Sequence, residues 1–246
     1  MGTTTHAPGT PCWVELGSPD PEAAAAFYGA LFGWEFAQDG PHGSHRSALL
    51  HGRPVAGLRA VGESARPGWT TFVAVTDTDR TAVAVAAAGG RVLPSPGGDV
   101  QVADPGGARF ALRETGARTA VAGAAREPGT FAWSELITDD VEASAAFYGS
   151  LFGWEAGAPE APLGRRAWHL ADTRVALLLP RPPAMAPGIP PYWDAYFTVA
   201  ETAEAAARAS AAGGTVLMGP TDIGAGRIAV LLDPQGAVLT VLAHRN

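Results

Sequence analysis

Lysine is absent from the 246-residue chain, so all 17 of its cationic side chains are arginine. This absence excludes chemistry that forms a Schiff base between a lysine and a carbonyl substrate. Cysteine is nearly absent as well, because Cys12 is the only one, and no disulfide can form within the chain. Such low cysteine usage is typical of a reducing compartment, and we expect a cytoplasmic protein.

Long apolar runs are also missing. No stretch of about 18 apolar residues occurs, so we expect no membrane-spanning helix. The N-terminal segment MGTTTHAPGTP lacks the basic and apolar regions of a secretory signal, and none is expected. The formal net charge of −7 disfavours nucleic acid as a partner, because phosphate binding needs a basic surface. The 246 residues are enough for one or two folded domains, and the hydrophobic fraction of 47% is enough for a buried core.

An internal repeat is the most informative feature that is present. Residues 13–35 read WVELGSPDPEAAAAFYGALFGWE, and residues 133–155, 120 positions later, read WSELITDDVEASAAFYGSLFGWE. Each copy predicts a short strand, Cys12 to Leu16 or Ala132 to Ile137, followed by an amphipathic helix. Repeats of this kind indicate that one structural unit occurs twice.

The ends of these two helices are marked by residues that commonly cap helices. Asp20 and Asp140 are predicted N-caps, because a short acidic side chain accepts hydrogen bonds from the first helical N–H groups. Gly33 and Gly153 are predicted to end the helices, because glycine adopts the left-handed conformation found there.

A weaker repeat lies between the two copies. Residues 69–75 (WTTFVAV) match residues 193–199 (WDAYFTV), and each predicts a strand. An alanine-rich helix follows each strand, over Asp79 to Ala88 or Glu201 to Ala212, and stops at a glycine pair. An Asp-Pro-x-Gly turn then precedes a last strand in each copy. The chain therefore predicts four modules with the order strand, helix, strand, strand, strand.

The chain resembles the vicinal oxygen chelate (glyoxalase/bleomycin resistance/dioxygenase) superfamily. The resemblance rests on the four modules, on the motif FYxxLFGW in both copies of the first repeat, and on the DPxG turns. The resemblance implies an α+β fold of two tandem domains, in which pairs of modules curl their sheets into cups. We assign the first domain to residues 9–115, the linker to 116–129 and the second domain to 130–244. The first module can share a cup with either the second or the fourth, and the sequence leaves this open.

The same resemblance suggests where a metal would be bound, because the family places its ligands on the first and last strands of the modules. Those positions are occupied by Trp13, Trp133, Thr70, Asp194, Ala111 and Thr240. Only Asp194 carries a group that suits a divalent metal, which prefers imidazole or carboxylate ligands. The resemblance therefore implies no metal site and no cofactor. The histidines show no paired spacing, and His42 and His45 are assigned to a glycine-rich turn.

The residues that face into the cups instead suggest an aromatic-lined concavity for a planar organic ligand. The predicted ligand-binding residues are Trp13, Thr70, Phe72, Trp133, Tyr196 and Thr240. An alternative is that Trp13 and Trp133 only fill the space that a metal would need. Trp34 and Trp154, in the FGW motifs, are predicted to lie in the core.

Glu15, Glu135 and Asp194 are the candidate acid/base residues. In an apolar cup a carboxyl group has a raised pKa, and that would suit proton transfer without a metal. The alternative is that Glu15 and Glu135 are paired with an arginine such as Arg53, Arg113 or Arg174.

These features favour metal-independent binding of a small hydrophobic or aromatic metabolite, in the sequestration or biosynthesis of a natural product. A metal-free acid/base enzyme resembling an isomerase or lyase is the alternative, followed by a metal-dependent glyoxalase or dioxygenase. A module for protein interaction is a further alternative, since a fold alone does not fix function. We expect a small-molecule partner, no nucleic acid or membrane partner, and a monomer or homodimer.

Overall fold

The computed structural model describes residues 6–39, 45–95, 99–116, 126–183, 185 and 188–245. Its helices and strands follow the predicted order in four successive modules. The first module consists of β1 (Pro11–Ser18), α1 (Pro21–Phe32), β2 (Glu35–Gln38), β3 (His45–Leu50) and β4 (Arg53–Ala60). The second consists of β5 (Gly68–Val75), α2 (Thr78–Ala87), β6 (Arg91–Leu93), β7 (Val100–Ala103) and β8 (Arg109–Glu114).

The second half of the chain repeats this order. The third module consists of β9 (Phe131–Thr138), α3 (Val141–Phe152), β10 (Glu155–Ala156), β11 (Arg166–Leu170) and β12 (Thr173–Pro180). The fourth consists of β13 (Tyr192–Thr198), α4 (Thr202–Ala211), β14 (Thr215–Asp222), β15 (Gly226–Leu232) and β16 (Val238–His244). The predicted elements differ from these only by one or two residues at their ends.

The caps of α1 and α3 are the predicted ones. The Asp20 carboxylate accepts a hydrogen bond from the Ala23 N–H at 3.0 Å, and Asp140 accepts the equivalent bond from Ala143 at 2.9 Å. Gly33 ends α1 with φ at 74°, in the left-handed region that a side chain disfavours. The local sequence thus sets both ends of the repeated helix.

The strands form two eight-stranded sheets. The first has the order β2-β3-β4-β1-β5-β8-β7-β6, and the second has the order β10-β11-β12-β9-β13-β16-β15-β14. The first and second modules therefore contribute to one sheet, and the third and fourth to the other. The α+β class and the two tandem domains are confirmed. The domain limits at 9–115 and 130–244 stay a prediction, and residues 117–125 of the linker lie outside the described residues.

The helices pack in two compact units. The first and fourth modules form one unit, in which α1 contacts α4, and the second and third modules form the other, in which α2 contacts α3. In the first of these units, Val14, Leu16 and Phe197 belong to one buried apolar cluster. In the other, Leu112 and Leu136 belong to a second cluster.

A buried hydrogen-bond network inside each unit joins three of the repeated motifs. In one unit the Trp69 indole N–H donates to the Tyr28 hydroxyl, and that hydroxyl donates to Asp233, each over 3.1 Å. Tyr28 comes from the FYG motif, Trp69 from the second repeat and Asp233 from the DPxG turn. The motifs that suggested the family are therefore parts of one structural feature.

The other unit contains the matching network. The Trp193 indole donates to the Tyr148 hydroxyl over 2.9 Å, and Tyr148 donates to Asp104 over 3.1 Å. Trp34 and Trp154 are buried, as predicted, and each indole donates to a backbone carbonyl oxygen, of Gly129 and Gly9 respectively.

No helix in the described ranges has the length and apolar character needed to cross a membrane.

Candidate functional site

The side chains of β1 divide between the two faces of the sheet. Val14 and Leu16 pack into the apolar core with α1, so Trp13 and Glu15 point to the opposite face. Both would lie within 3.0 Å of a β-carbon built on Gly57 of β4, which places them together. Trp13 is 8% exposed and Glu15 only 1%. The predicted shared face of this pair is confirmed.

Glu15 is bound by two neighbouring side chains. Its Oε2 lies 2.5 Å from His45 Nε2, and the Arg59 Nε–H donates to its Oε1 over 2.8 Å. His45 on β3 and Arg59 on β4 are direct partners in the register of those strands. Three adjacent strands therefore assemble Trp13, Glu15, His45 and Arg59, which we call the first-module cluster.

This pairing decides the charge of Glu15. Burial is the largest influence and would raise the pKa of the carboxyl group, but hydrogen bonds and charge from His45 and Arg59 together outweigh it. The pKa of Glu15 consequently lies below its usual value of 4.5. The expectation that apolar surroundings raise the pKa is wrong for Glu15, because His45 and Arg59 both bind its carboxylate.

Gly57 provides the room for this arrangement. A β-carbon at position 57 would lie 2.9 Å from Glu15 Oε2 and 3.0 Å from Trp13 Nε1. Those separations are shorter than van der Waals contact, so a side chain here would displace the carboxylate or the indole. Gly57 is also the register partner of Glu15.

The third module carries a related but different cluster. The Arg165 guanidinium donates to Glu135 through Nε at 2.5 Å and Nη2 at 3.3 Å, so both carboxylate oxygens are engaged. Glu135 and Arg165 follow Glu15 and His45 by 120 residues. The third-module cluster, Trp133, Glu135 and Arg165, therefore replaces a histidine by an arginine.

Two further positions differ between the clusters. Leu177 is the register partner of Glu135, where the first module has Gly57, and Leu179 stands where the first module has Arg59. Trp133 is half-buried, whereas Trp13 is buried. The repeat thus conserves the tryptophan and glutamate but changes the groups around them.

The arginines predicted to pair with Glu15 and Glu135 do not contact them in the ion pairs among the described residues. Arg53 instead contacts Glu127 at 2.5 Å, and Arg113 lies 3.6 Å from Asp99. Arg174 is exposed. The alternative that each glutamate pairs with an arginine is therefore right, but the arginines are different ones. Arg59 lies on β4, the strand beside Glu15, and Arg165 immediately precedes β11.

Asp194 and Tyr192, at the start of β13, share the electrostatic environment of Glu135. Burial raises the pKa of the Tyr192 hydroxyl, and the charges of Asp194 and Glu135 raise it further. Asp194 is itself buried. The structure therefore places a second carboxylate near the third-module cluster.

The remaining predicted ligand-binding residues lie elsewhere on the strands. Phe72 is buried beneath Arg113, whose guanidinium carbon lies 4.2 Å from the ring centre. Tyr196 and Thr240 are register partners on β13 and β16, and both are buried. Thr70 is half-buried.

The donor groups at the family's ligand positions do not fit a divalent metal. Tryptophan, threonine and alanine occupy all of them except Asp194. Among the described residues, no three His, Cys, Asp or Glu side chains come together in a way that could hold a metal ion. Glu15 and Glu135, the carboxylates on the same strands as Trp13 and Trp133, are already bound by arginine.

His45 is the residue that sequence reasoning missed. It begins β3 rather than lying in a glycine-rich turn, and its side chain reaches Glu15; His42 lies outside the described residues. Aligning the two repeats beyond residue 35 would have paired His45 with Arg165, and that polar pair was the available signal.

Comparison with known proteins agrees with this fold. The profile of the glyoxalase/bleomycin resistance protein/dioxygenase superfamily matches residues 130–241, and that of a glyoxalase-like domain matches residues 13–113. The chain belongs to this superfamily. The predicted resemblance is therefore confirmed.

Several relatives match over nearly their whole length. CFP32 of Mycobacterium tuberculosis (strain CDC 1551 / Oshkosh), whose name proposes a glyoxylase, is 37% identical over 95% of this chain and 94% of its own. The anthracycline biosynthesis proteins DauV of Streptomyces sp. (strain C5) and DnrV of Streptomyces peucetius are each 34% identical, over 99% of this chain and 96% of theirs.

Solved structures share the fold at low identity. The Mn(II)-bound glyoxalase of Novosphingobium aromaticivorans superposes with a TM-score of 0.64 at 19% identity, over 97% of this chain and 82% of its own. The 2,3-dioxygenase LapB of Pseudomonas sp. KL28 gives 0.63 at 15% identity, over 98% and 93%. At such identity these structures establish the fold alone.

Proposed function

We propose that the chain binds a small, planar aromatic metabolite carrying hydroxyl groups, without a metal, and acts in the biosynthesis or sequestration of a natural product. The observation that carries the proposal is the replacement of the family's ligand positions by Trp13 and Trp133, each beside a glutamate tied to an arginine. An aromatic side chain next to polar groups of fixed orientation suits recognition of such a ligand.

The polar groups of the clusters support the hydroxylated class of ligand. Arg59 and Arg165 are held beside the tryptophans by Glu15 and Glu135, and their guanidinium groups offer N–H donors. A ligand with only apolar edges would displace water from these groups without replacing its hydrogen bonds. Each buried polar group that loses a hydrogen bond in this way costs about 1–3 kcal/mol.

The relatives support the context. DauV and DnrV are named for anthracycline biosynthesis. The match extends over nearly the whole of both chains, so both repeats are shared. The partner we propose is accordingly a small molecule, bound by a monomer or homodimer, and a cytoplasmic location stays a prediction.

A metal-free acid/base enzyme is the second candidate function. The contact of His45 with Glu15 favours it, because a histidine beside a buried carboxylate is a common arrangement for proton transfer. Glu15, Glu135 and Asp194 were the predicted acid/base residues, and the lowered pKa of Glu15 keeps this carboxyl group ionised, so it cannot act as a general acid near neutral pH.

Binding is tested with alizarin, a planar dihydroxyanthraquinone, by calorimetric titration of the purified chain. Trp13→Leu and Trp133→Leu should each weaken binding at their own site by about 3- to 10-fold, the value of one aromatic stacking contact. Phe36→Leu is the matched control, since it alters an aromatic residue of β2 that packs on the helix-facing core. Absence of alizarin binding, or native affinity in both tryptophan variants, would overturn the proposal.

A further inference from the structure

We propose that the first-module cluster binds the ionised carboxylate of a planar aromatic acid through the terminal Nη groups of Arg59. The third-module cluster, with Leu179 at the equivalent position, does not share this preference for an acid. The inference rests on the proposed function, because it specifies the charge of the aromatic ligand at one of the two clusters. It makes Arg59 the residue that determines ligand specificity there.

Arg59 uses only part of its guanidinium group within the protein. An arginine carries five N–H groups, one on Nε and the rest on the two Nη atoms. The Nε–H donates to Glu15 Oε1 over 2.8 Å, and among the described residues the Nη atoms donate to no protein acceptor. The Arg59 side chain is 14% exposed, so its terminal end can meet a ligand.

The charge of Arg59 is only partly neutralised by its neighbours. Glu15 shares its charge between two partners, because His45 Nε2 lies 2.5 Å from Oε2 while Arg59 holds Oε1. The guanidinium stays protonated in proteins. An incoming carboxylate would therefore meet a positive charge, and the two Nη groups match its two oxygens in a planar fork.

The strands beside Arg59 leave its terminal end available. The register partner of Arg59 on β1 is Gly17, which has no side chain that could compete for the guanidinium. Its register partner on β3 is His45, whose ring contacts Glu15. Neither neighbouring strand therefore supplies a second acidic group at this position.

Glu15 acts as a positioning residue for the ligand-binding groups. It is buried, and its carboxylate fixes Arg59 through Nε. Trp13 lies on its other side, since a β-carbon built on Gly57 would come within 3.0 Å of both Trp13 Nε1 and Glu15 Oε2. A single planar ligand can therefore contact the indole with its ring and Arg59 with its carboxylate. Prior fixing of these groups lowers the entropy lost on binding.

The third module has apolar side chains where the first has Gly17 and Arg59. Ile137 and Leu179 occupy the equivalent positions, are register partners and are both buried. The cation of that cluster, Arg165, donates to Glu135 through both Nε and Nη2. Its guanidinium is therefore committed to the glutamate through two nitrogens, whereas Arg59 is committed through one.

The test compares two probes with the same ring system, anthraquinone-2-carboxylate and anthraquinone-2-carboxamide, by calorimetric titration at pH 7, where the acid is ionised. The native chain should bind the acid about tenfold more tightly than the amide, as a charge-assisted bidentate contact provides. Arg59→Gln should remove this preference by weakening binding of the acid, while the amide keeps its affinity because its ring still contacts Trp13.

Arg59→Lys is a second variant, in case Arg59→Gln does not fold. It keeps a positive charge beside Glu15 but lacks the planar fork, so the preference should fall to about threefold or less. Arg53→Gln is the matched control, because it removes the same charge from the same strand but alters an exposed residue that pairs with Glu127. This control should keep the full preference. Thermal unfolding establishes that each variant is folded.

The outcomes separate this inference from the proposed function. Equal affinity of the native chain for acid and amide, or the full preference in either folded Arg59 variant, would overturn the inference and leave the proposed function standing. A preference that disappears in Arg165→Gln but survives in Arg59→Gln would place the anion site in the third module and overturn it as well. Failure of alizarin and of both anthraquinone probes to bind the native chain would overturn both proposals.

Discussion

His45 Nε2 and Glu15 Oε2 lie 2.5 Å apart, although the residues are 30 positions apart in the sequence. The contact exists because β3, β4 and β1 are adjacent in the first sheet. It joins a partly exposed imidazole to a buried carboxylate, so a charge on β1 is stabilised by a residue two strands away in the sheet.

Glu15→Gln should lower the stability of the fold by about 3 kcal/mol near neutral pH, because it leaves Arg59 without its buried counterion. It should also weaken the acid dependence of stability. The folded pKa of Glu15 is lowered, so its stabilisation is present above about 4.5, the unfolded value, and is lost as the pH falls through the folded value. Urea unfolding between pH 3 and 7 measures both effects.

Glu22→Gln is the control for that measurement. It removes the same charge from the same module, but Glu22 is exposed and such pairs contribute little. An acid dependence in Glu15→Gln as steep as that of the native chain would contradict the assignment of Glu15.

Gly57→Ala should destabilise the first module and weaken alizarin binding. The added β-carbon would lie 2.9 Å from Glu15 Oε2 and 3.0 Å from Trp13 Nε1, so one of them must move. Overpacking of this kind costs about 1–3 kcal/mol. Gly62→Ala, where a β-carbon meets no atom within 4 Å, serves as the comparison; equal effects of the two changes would show that the close approach is unimportant.

Tyr28→Phe should destabilise its unit by about 2–4 kcal/mol, because removal of the hydroxyl leaves both the Trp69 N–H and the Asp233 carboxylate without this buried partner. Tyr148→Phe should have a similar effect through Trp193 and Asp104. Denaturant unfolding followed by tryptophan fluorescence measures the change.

Ser150→Ala, which removes one local hydrogen bond on α3, is the comparison for Tyr148→Phe. If the tyrosine variants lose no more stability than this serine variant, the networks do not hold the motifs together as argued.

The fold was predictable because its signals are local and repeated. Asp20 and Gly33 set the ends of α1 through short-range capping, and strand alternation placed Trp13 opposite Leu16. The partners of Glu15 were harder to predict, because they depend on which strands are neighbours. Arg59 is one of many arginines in the chain, and only the parallel pairing of β1 with β4 brings it to the carboxylate.

The pKa of Glu15 shows the same limit. Apolar surroundings predict a raised pKa, and burial does act in that direction. Two specific hydrogen bonds reverse the result, and composition contains no information about them. His45 was recoverable in principle, because the 120-residue repeat sets it against Arg165.

Removal of metal should leave the chain unchanged. After dialysis against EDTA we expect the same melting temperature and the same alizarin affinity, and elemental analysis of the untreated protein should find less than stoichiometric metal, because the family's ligand positions lack suitable donors. A melting temperature that falls with EDTA and recovers with Mn(II) would contradict the metal-free proposal and direct attention to Asp194.

His45→Arg should preserve the fold. Arg165 shows that an arginine at this position can pair with the glutamate through both oxygens, so the buried Glu15 carboxylate keeps a charged partner and the change should cost less stability than Glu15→Gln. Arg165→Gln, which removes the arginine partner of the buried Glu135, should cost about 3 kcal/mol. Urea unfolding of the three variants measures the difference. A loss in His45→Arg as large as that in Glu15→Gln would show that the first-module cluster does not tolerate the third-module pairing.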